Sequence, residues 1–216
     1  MEPTDNITAP INNENNLFAK IISYIFHPMF LPLYCLLLLF NLNSYFSFEL
    51  ILKAKLLLIA FVGITTIIFP LIIIFLMKKQ GLINSYFMKT KHERIYPYFI
   101  ITIFYFFTFN LFRQIQLPAM YTLFMMGATI LLLVISILNF WWKISIHLVG
   151  IGGLFGVITG LALSLSINLI FQIIIIIFIA GVVGYSRLKL NSHKPYEIYS
   201  GFLIGAIIML SIFLFN

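Results

Sequence analysis

The feature that most constrains this sequence is a succession of apolar runs, each nearly free of charged side chains. A helix needs about 20 apolar residues to cross roughly 30 Å of hydrocarbon, and these runs reach or approach that length. Only 9% of the 216 residues are charged, so there is too little polar surface to cover a water-soluble globule. The sequence therefore predicts an all-α, polytopic transmembrane helical bundle of six or seven spans. The runs fall at about 21–40, 55–77, 97–112, 118–139, 148–165, 168–185 and 198–215.

The N-terminal segment, residues 1–16, differs from the rest because it is polar, acidic and rich in asparagine. Such a segment buries too little apolar surface to fold, so we expect a disordered tail before a single transmembrane domain, residues 17–216. The first apolar run contains Pro28 and Pro32, which lack the backbone N–H that a helix uses, and hydrocarbon cannot supply the missing hydrogen bond. That run is therefore expected to be kinked or re-entrant. His27 beside the proline either caps a kinked helix at the interface or lines a path for lipid.

The basic residues are expected to mark one face of the membrane. The net charge is +7, and Lys and Arg in short loops contact anionic headgroups, so this charge does not indicate nucleic-acid binding. Counting crossings places the tail and residues 78–96, 140–147 and 186–197 on one face, which holds most of the Lys and Arg. The positive-inside rule taken alone makes that face cytoplasmic. We expect an integral protein of a bacterial inner membrane.

Ionisable side chains form three clusters on that face, and their chemistry suits an anion. The first cluster precedes the third apolar run and contains Lys89, Lys91 and Arg94. Arginine matches phosphate oxygens with two parallel hydrogen bonds and lysine adds a point charge, although an interfacial anchor is the alternative. The second cluster contains Ser145 and His147. An ionisable residue at the start of an apolar helix is a functional candidate by default.

The third cluster, GYSRLKLNSHKPYEIYSG, contains Arg187, His193 and Glu197. Pro195 suits the first turn of the last helix, which puts His193 at a helix N-terminus, where free N–H groups attract anions. Glu197 follows His193 by four residues and falls on the same helical face. A carboxylate there fixes the imidazole tautomer and aims the other ring nitrogen, as in an oriented nucleophile or base; a structural hydrogen bond is the alternative.

At these residues the chain resembles the type 2 phosphatidic acid phosphatase (PAP2) superfamily of membrane phosphatases, over roughly residues 85–205. The third motif of that family is Ser-Arg, five residues, His, three residues, Asp. This chain has the same spacing, with Glu in the last place, at Ser186, Arg187, His193 and Glu197.

The other two motifs of the family are matched less closely. Ser145 and His147 correspond to the Ser and His of the Pro-Ser-Gly-His motif. Arg94, with Lys89 or Lys91 before it, is similar to the motif that pairs a lysine with Arg-Pro. The resemblance thus covers all three clusters.

The resemblance implies hydrolysis of a lipid phosphomonoester or pyrophosphate through a phosphohistidine, with no metal and no cofactor. His193 would attack phosphorus, oriented by Glu197, and His147 would protonate the leaving alkoxide and later activate water. The remaining residues would hold the equatorial phosphate oxygens. They are Lys89, Lys91, Arg94, Ser145 and Arg187.

Other functions remain open for the same residues. A non-catalytic transporter or lipid- and anion-binding protein would use the cations without turnover, and a phosphotransferase would pass the phosphoryl group to an alcohol. The expected partner is a membrane lipid substrate. Related phosphatases often face away from the cytoplasm, which opposes the orientation that the charge count predicts.

A glycine repeat on the fifth apolar run predicts close helix packing. Gly152, Gly156 and Gly160 recur every four residues, which leaves one smooth stripe along the helix. The stripe would pack against another helix of the chain or mediate a homo-oligomer.

Overall fold

The structure, a computed structural model, describes residues 13–42, 50–83 and 91–216, and for residues 13–16 and 91–95 only the backbone. Within these ranges the chain is all-α and contains no strand. The helices are α1 (Asn13–Ile25), α2 (Leu31–Phe40), α3 (Leu52–Lys79), α4 (Lys91–Gln114), α5 (Ala119–Leu138), α6 (Ile146–Ser164), α7 (Ile170–Lys189) and α8 (Pro195–Phe215). Helices α3, α5, α6, α7 and α8 are long and apolar enough to cross a membrane. The predicted all-α membrane fold is confirmed at this level.

The first predicted span, 21–40, forms two helices rather than one. Helix α1 ends at Ile25 and α2 begins at Leu31, with Pro28 in the turn between them. Proline lacks an N–H and its ring clashes with the carbonyl four residues earlier, so it destabilises the helix at this point. The predicted interruption is therefore confirmed. Residues 1–12 of the predicted tail lie outside the described part of the chain.

The centre of the bundle is the pair α6 and α8. Of the most apolar part of α6, 67% is buried, against 22% for α7, so α6 is central and α7 peripheral. A Cβ built on Gly152 would lie 2.1 Å from the carbonyl oxygen of Phe202, and one on Gly156 2.5 Å from that of Ala206. Helix backbones approach this closely only where a side chain is absent. The predicted close packing is confirmed, and the partner is a helix of the same chain.

Helix α8 contributes glycines to the same contact. A Cβ on Gly205 would lie 2.1 Å from the carbonyl oxygen of Val149, and one on Gly201 2.9 Å from that of Ser145. These contacts fix the distance between the first turns of α6 and α8, which carry two of the predicted clusters. A homo-oligomer stays a prediction that draws no support from this stripe, because the stripe is already covered by α8.

The connection between α6 and α7 is the short segment 165–169. Ser166 adopts a left-handed conformation with φ of 53°, which closes α6. The side-chain oxygen of Asn168 then accepts a hydrogen bond of 3.1 Å from the Ile170 N–H, in an Asx turn that leads into α7. So short a connection leaves α6 and α7 as a tight antiparallel hairpin. It returns α7 toward the membrane face on which α6 begins.

Candidate anion-binding site

His193 and Glu197 form a buried pair at the N-terminus of α8. Nδ1 of His193 lies 2.8 Å from Oε2 of Glu197, and the two side chains are 2% and 8% exposed. The same oxygen accepts a hydrogen bond of 3.1 Å from the backbone N–H of Lys194, so the carboxylate also caps the helix. The contact expected from the four-residue spacing is present. It fixes which ring nitrogen of His193 faces the carboxylate.

The turn that precedes His193 follows from a helix-ending motif. Asn191 has φ of 51°, a left-handed conformation that asparagine tolerates better than most residues. The N–H of Ser192 donates a hydrogen bond of 3.1 Å back to the carbonyl oxygen of Arg187. Lys194 is extended, and Pro195 begins α8. This tight reversal brings Arg187, in the last turn of α7, close to the start of α8.

Ser145 connects the start of α6 to the first turn of α8. Its backbone N–H donates a hydrogen bond of 3.1 Å to the carbonyl oxygen of Glu197. The side chain is fully buried, and its Oγ has no hydrogen-bond partner among the described residues. Buried polar atoms of this kind are rare in native proteins and often accompany functional sites. The structure thus brings the second and third predicted clusters together.

His147 is the second residue of α6 and is 7% exposed. Its Nε2 donates a hydrogen bond of 3.3 Å to the carbonyl oxygen of Ser23 in α1. Its Nδ1 is buried and has no hydrogen-bond partner in the described part of the chain. In the neutral ring the donating Nε2 carries the proton, which leaves Nδ1 as an acceptor.

Arg187 reaches the same point from α7. Its Nη1 donates a hydrogen bond of 3.4 Å to Oγ of Ser23. Arg187, His147 and His193 line one cavity of about 1100 Å³, together with Lys143 from the loop before α6. The other two predicted residues in the described region, Ser145 and Glu197, are buried next to this wall.

Three further side chains at this end of the cavity come from α1 and the turn after it, namely Lys20, Ser23 and His27. The ring of His27 packs against that of His147, with centroids 5.5 Å apart and planes at 84°. The structure places His27 in the cavity wall, and its role in a path for lipid stays a prediction. The break at Pro28 is the sequence signal that turns this segment inward.

The electrostatics of this end favour negative charge. No Asp or Glu lines the cavity among the described residues, whereas Lys20, Lys143 and Arg187 all do. His27 lies outside the five candidate spans, and burial, followed by the positive charge of Arg187, lowers its pKa. The neutral form of this imidazole is therefore favoured while the cavity holds no anion.

Away from the cations, the cavity continues into the bundle between apolar walls. Tyr105 of α4, Phe124 of α5 and Met209 of α8 line its inner part. At 1.5 Å per residue, Met209 lies about 21 Å along α8 from Pro195. A cavity that is cationic at one end and apolar over the rest of its length fits an amphiphile with an anionic head.

The first predicted cluster cannot be placed in this site. Lys89 lies outside the described residues, and so do the side chains of Lys91 and Arg94. Nearby on α4, Tyr98 and Ile101 line the cavity. The phosphate-binding role of the first cluster stays a prediction.

Fold and site together define an all-α membrane protein with imidazoles and cations at one end of an internal cavity. No family model, no curated protein and no solved structure matches the chain. The resemblance to the PAP2 superfamily therefore rests on the motif residues alone.

Proposed function

We propose that this chain is an integral membrane phosphatase of the PAP2 type, which hydrolyses a phosphomonoester or pyrophosphate of a lipid. The observation that carries the proposal is the buried His193–Glu197 pair, in which His193 lines the same cavity as His147 and Arg187. A PAP2-like core of six or seven spans in a bacterial inner membrane belongs to the same proposal.

In the first step His193 is the nucleophile. With Nδ1 held by Glu197, Nε2 is the ring nitrogen that attacks phosphorus, and the carboxylate stabilises the positive charge that develops on the ring. The N–P bond forms as the P–O bond to the lipid breaks. His147 enters this step as an imidazolium, which the negative charge of the bound substrate stabilises; its Nδ1–H gives the proton to the leaving oxygen, and the ring becomes neutral.

In the second step water replaces the histidine. His147, now neutral, accepts a proton from the water as its oxygen attacks phosphorus. The N–P bond breaks, inorganic phosphate leaves, and both imidazoles return to their starting state. Nδ1 of His147 suits both proton transfers, protonated in the first step and unprotonated in the second, because Nε2 is held by the carbonyl oxygen of Ser23.

Charge stabilisation comes from the cations around the cavity. Arg187 approaches the phosphoryl group from the end of α7, and the N-terminus of α8 adds the positive end of its dipole. The first cluster, Lys89 or Lys91 with Arg94, and the hydroxyl of Ser145 complete the proposed phosphate ligands.

The shape of the cavity supports a lipid substrate over a small soluble ester. Pockets for small molecules enclose about 300–1,000 Å³. This cavity has about 1100 Å³, and most of it lies among apolar side chains beyond the cations. A phosphorylated headgroup at the cationic end would leave an apolar chain in the interior.

The test is phosphate release from phosphatidate or a prenyl pyrophosphate by the purified protein. The His193→Gln variant should lose activity by roughly 10³-fold or more, because the nucleophile is gone. Glu197→Gln keeps an oxygen acceptor for Nδ1 but removes the charge, so a loss of about 10²–10⁴-fold is expected. Equal rates in all three proteins would exclude the mechanism.

A trapping experiment separates the two steps. With a phosphate ester whose leaving group needs no proton, His147→Gln should still form the phosphohistidine but hydrolyse it slowly. Acid-labile radioactive phosphate should then accumulate on this variant and be absent from the double variant that also carries His193→Gln. Label retained by the double variant would place the covalent intermediate elsewhere.

The depth of the apolar interior also favours one alternative, a lipid-binding or transport protein that performs no chemistry. Binding of a lipid phosphate without turnover of any lipid ester would establish it. A phosphotransferase would instead release less inorganic phosphate when an alcohol acceptor is added, in proportion to the phosphorylated alcohol formed.

A further inference from the structure

The wall of the cavity contributed by α1 contains a titratable side chain that none of the three motifs includes. His27 lines the cavity together with His147, His193 and Arg187. Its ring lies edge-on to that of His147, with centroids 5.5 Å apart. Three imidazoles therefore surround the cationic end.

The orientation of His27 is set by its own turn. Nδ1 of His27 lies 3.4 Å from the backbone N–H of Met29 and accepts its hydrogen bond. A neutral imidazole whose Nδ1 accepts carries its proton on Nε2, which is then a donor. No described residue forms a hydrogen bond with this Nε2.

The segment that carries His27 is anchored to the predicted site. The carbonyl oxygen of Ser23 accepts from Nε2 of His147, and Oγ of Ser23 accepts from Nη1 of Arg187. One turn of α1 thus contacts two of the proposed catalytic and binding residues. An anion bound by Arg187 would therefore lie close to the end of α1 and to His27.

We propose that His27 is a further ligand of the anion site, and that its Nε2–H donates a hydrogen bond to an oxygen of the bound phosphate group. The proposal rests on the proposed function for the identity of the anion, and it assigns a contact outside the PAP2 motifs. The chemistry is the same for free phosphate and for the headgroup of a phosphorylated lipid.

Two substitutions separate hydrogen bonding from packing. His27→Gln keeps an N–H donor but loses the aromatic ring, whereas His27→Phe keeps the ring against His147 but loses the donor. Binding of inorganic phosphate and of short-chain phosphatidate to the purified full chain is measured by calorimetry. We expect His27→Phe to bind both ligands at least about tenfold more weakly, since a hydrogen bond to a charged group is lost. His27→Gln should stay close to the unaltered protein.

Every other pattern overturns the proposal. If His27→Phe binds like the unaltered protein, the ring only packs. Equal losses in both variants mean that the retained donor makes no difference. An unaltered protein that binds neither ligand has no such site, and weakening for phosphatidate alone assigns His27 to the lipid chain rather than to phosphate.

These binding measurements do not require turnover, so they test the His27 contact independently of the proposed phosphatase activity. A protein that hydrolyses no lipid but loses phosphate binding in His27→Phe retains the contact and refutes the phosphatase. Should either variant fail to fold, ring-¹⁵N-histidine spectra of the unaltered protein carry the test. Phosphate should shift the Nε2 resonance of His27, and an unchanged resonance refutes the contact.

Discussion

Replacing a glycine at the contact between α6 and α8 should lower the stability of the protein, by an amount that follows from how close the neighbouring backbone lies. A Cβ on Gly205 would lie 2.1 Å from the carbonyl oxygen of Val149 and 2.7 Å from the backbone nitrogen of Gly153. Ordinary van der Waals contact begins at 3.4 Å. In Gly205→Ala the two helices must therefore separate locally by about 1.3 Å, because both contacted atoms are backbone and no side-chain rotation relieves the clash.

Overpacking of this kind costs about 1–3 kcal/mol. For a chain of this length each 1 kcal/mol lowers the unfolding midpoint by roughly 2–4 °C, so Gly205→Ala should melt about 2–12 °C lower. The proposed activity should fall as well. A displacement of about 1 Å in catalytic groups costs about 10²-fold, and the first turns of both helices carry groups for which we propose such a role.

The assay is thermal unfolding of the purified protein in one detergent, followed by intrinsic tryptophan fluorescence. Gly181→Ala is the matched control, because an added Cβ there meets nothing within 4 Å. Alanine has the higher helix propensity, so this control should melt at or slightly above the unaltered protein. If Gly205→Ala melts as high as Gly181→Ala, the close approach of α6 and α8 is wrong.

Two further predictions concern the turns around the cavity. Asn191→Val should lower the free energy of unfolding by about 1–3 kcal/mol, and with it the unfolding midpoint, because a β-branched residue is strained at φ of 51°. Asn191→Gly should not lower the midpoint, since glycine adopts this conformation freely. Equal midpoints for the two variants would contradict the left-handed turn. Lowering the pH should also lower the midpoint, since the pKa of His27 in the folded protein lies below its usual 6.5 and the unfolded chain gains the proton first. Stability is then complete above about pH 6.5 and falls below it. A His27→Gln variant should lose less between about pH 7.5 and pH 5.5, and parallel curves would refute this origin.

The parts of the fold that the sequence predicts are those with a local cause. The helices follow from apolar length, the break in the first run from Pro28, and the α6–α7 hairpin from the brevity of segment 165–169. The pairing of His193 with Glu197 spans only four residues, across the extended Lys194 and the first turn of α8. Each of these features is decided within a few residues, so a reader of the sequence has all the information required.

The contribution of α1 to the site has no such local cause. Ser23 contacts His147 across 124 positions and Arg187 across 164. Nothing in the sequence around Ser23 distinguishes it from other serines in apolar helices. The sequence likewise gives no reason to pair His27 with His147, and only the packing of α1 against α6 and α7 brings the two rings together.

The carboxylate of Glu197 explains why fold and site are hard to separate in this chain. One of its oxygens meets both Nδ1 of His193 and the N–H of Lys194, and its backbone carbonyl accepts from the N–H of Ser145. The cap of α8, the orientation of the proposed nucleophile and the junction with α6 therefore share one residue. Glutamate is the side chain that closes a helix N-terminus from the third position, so its presence in the place of the usual aspartate adds a capping role to the proposed catalytic one.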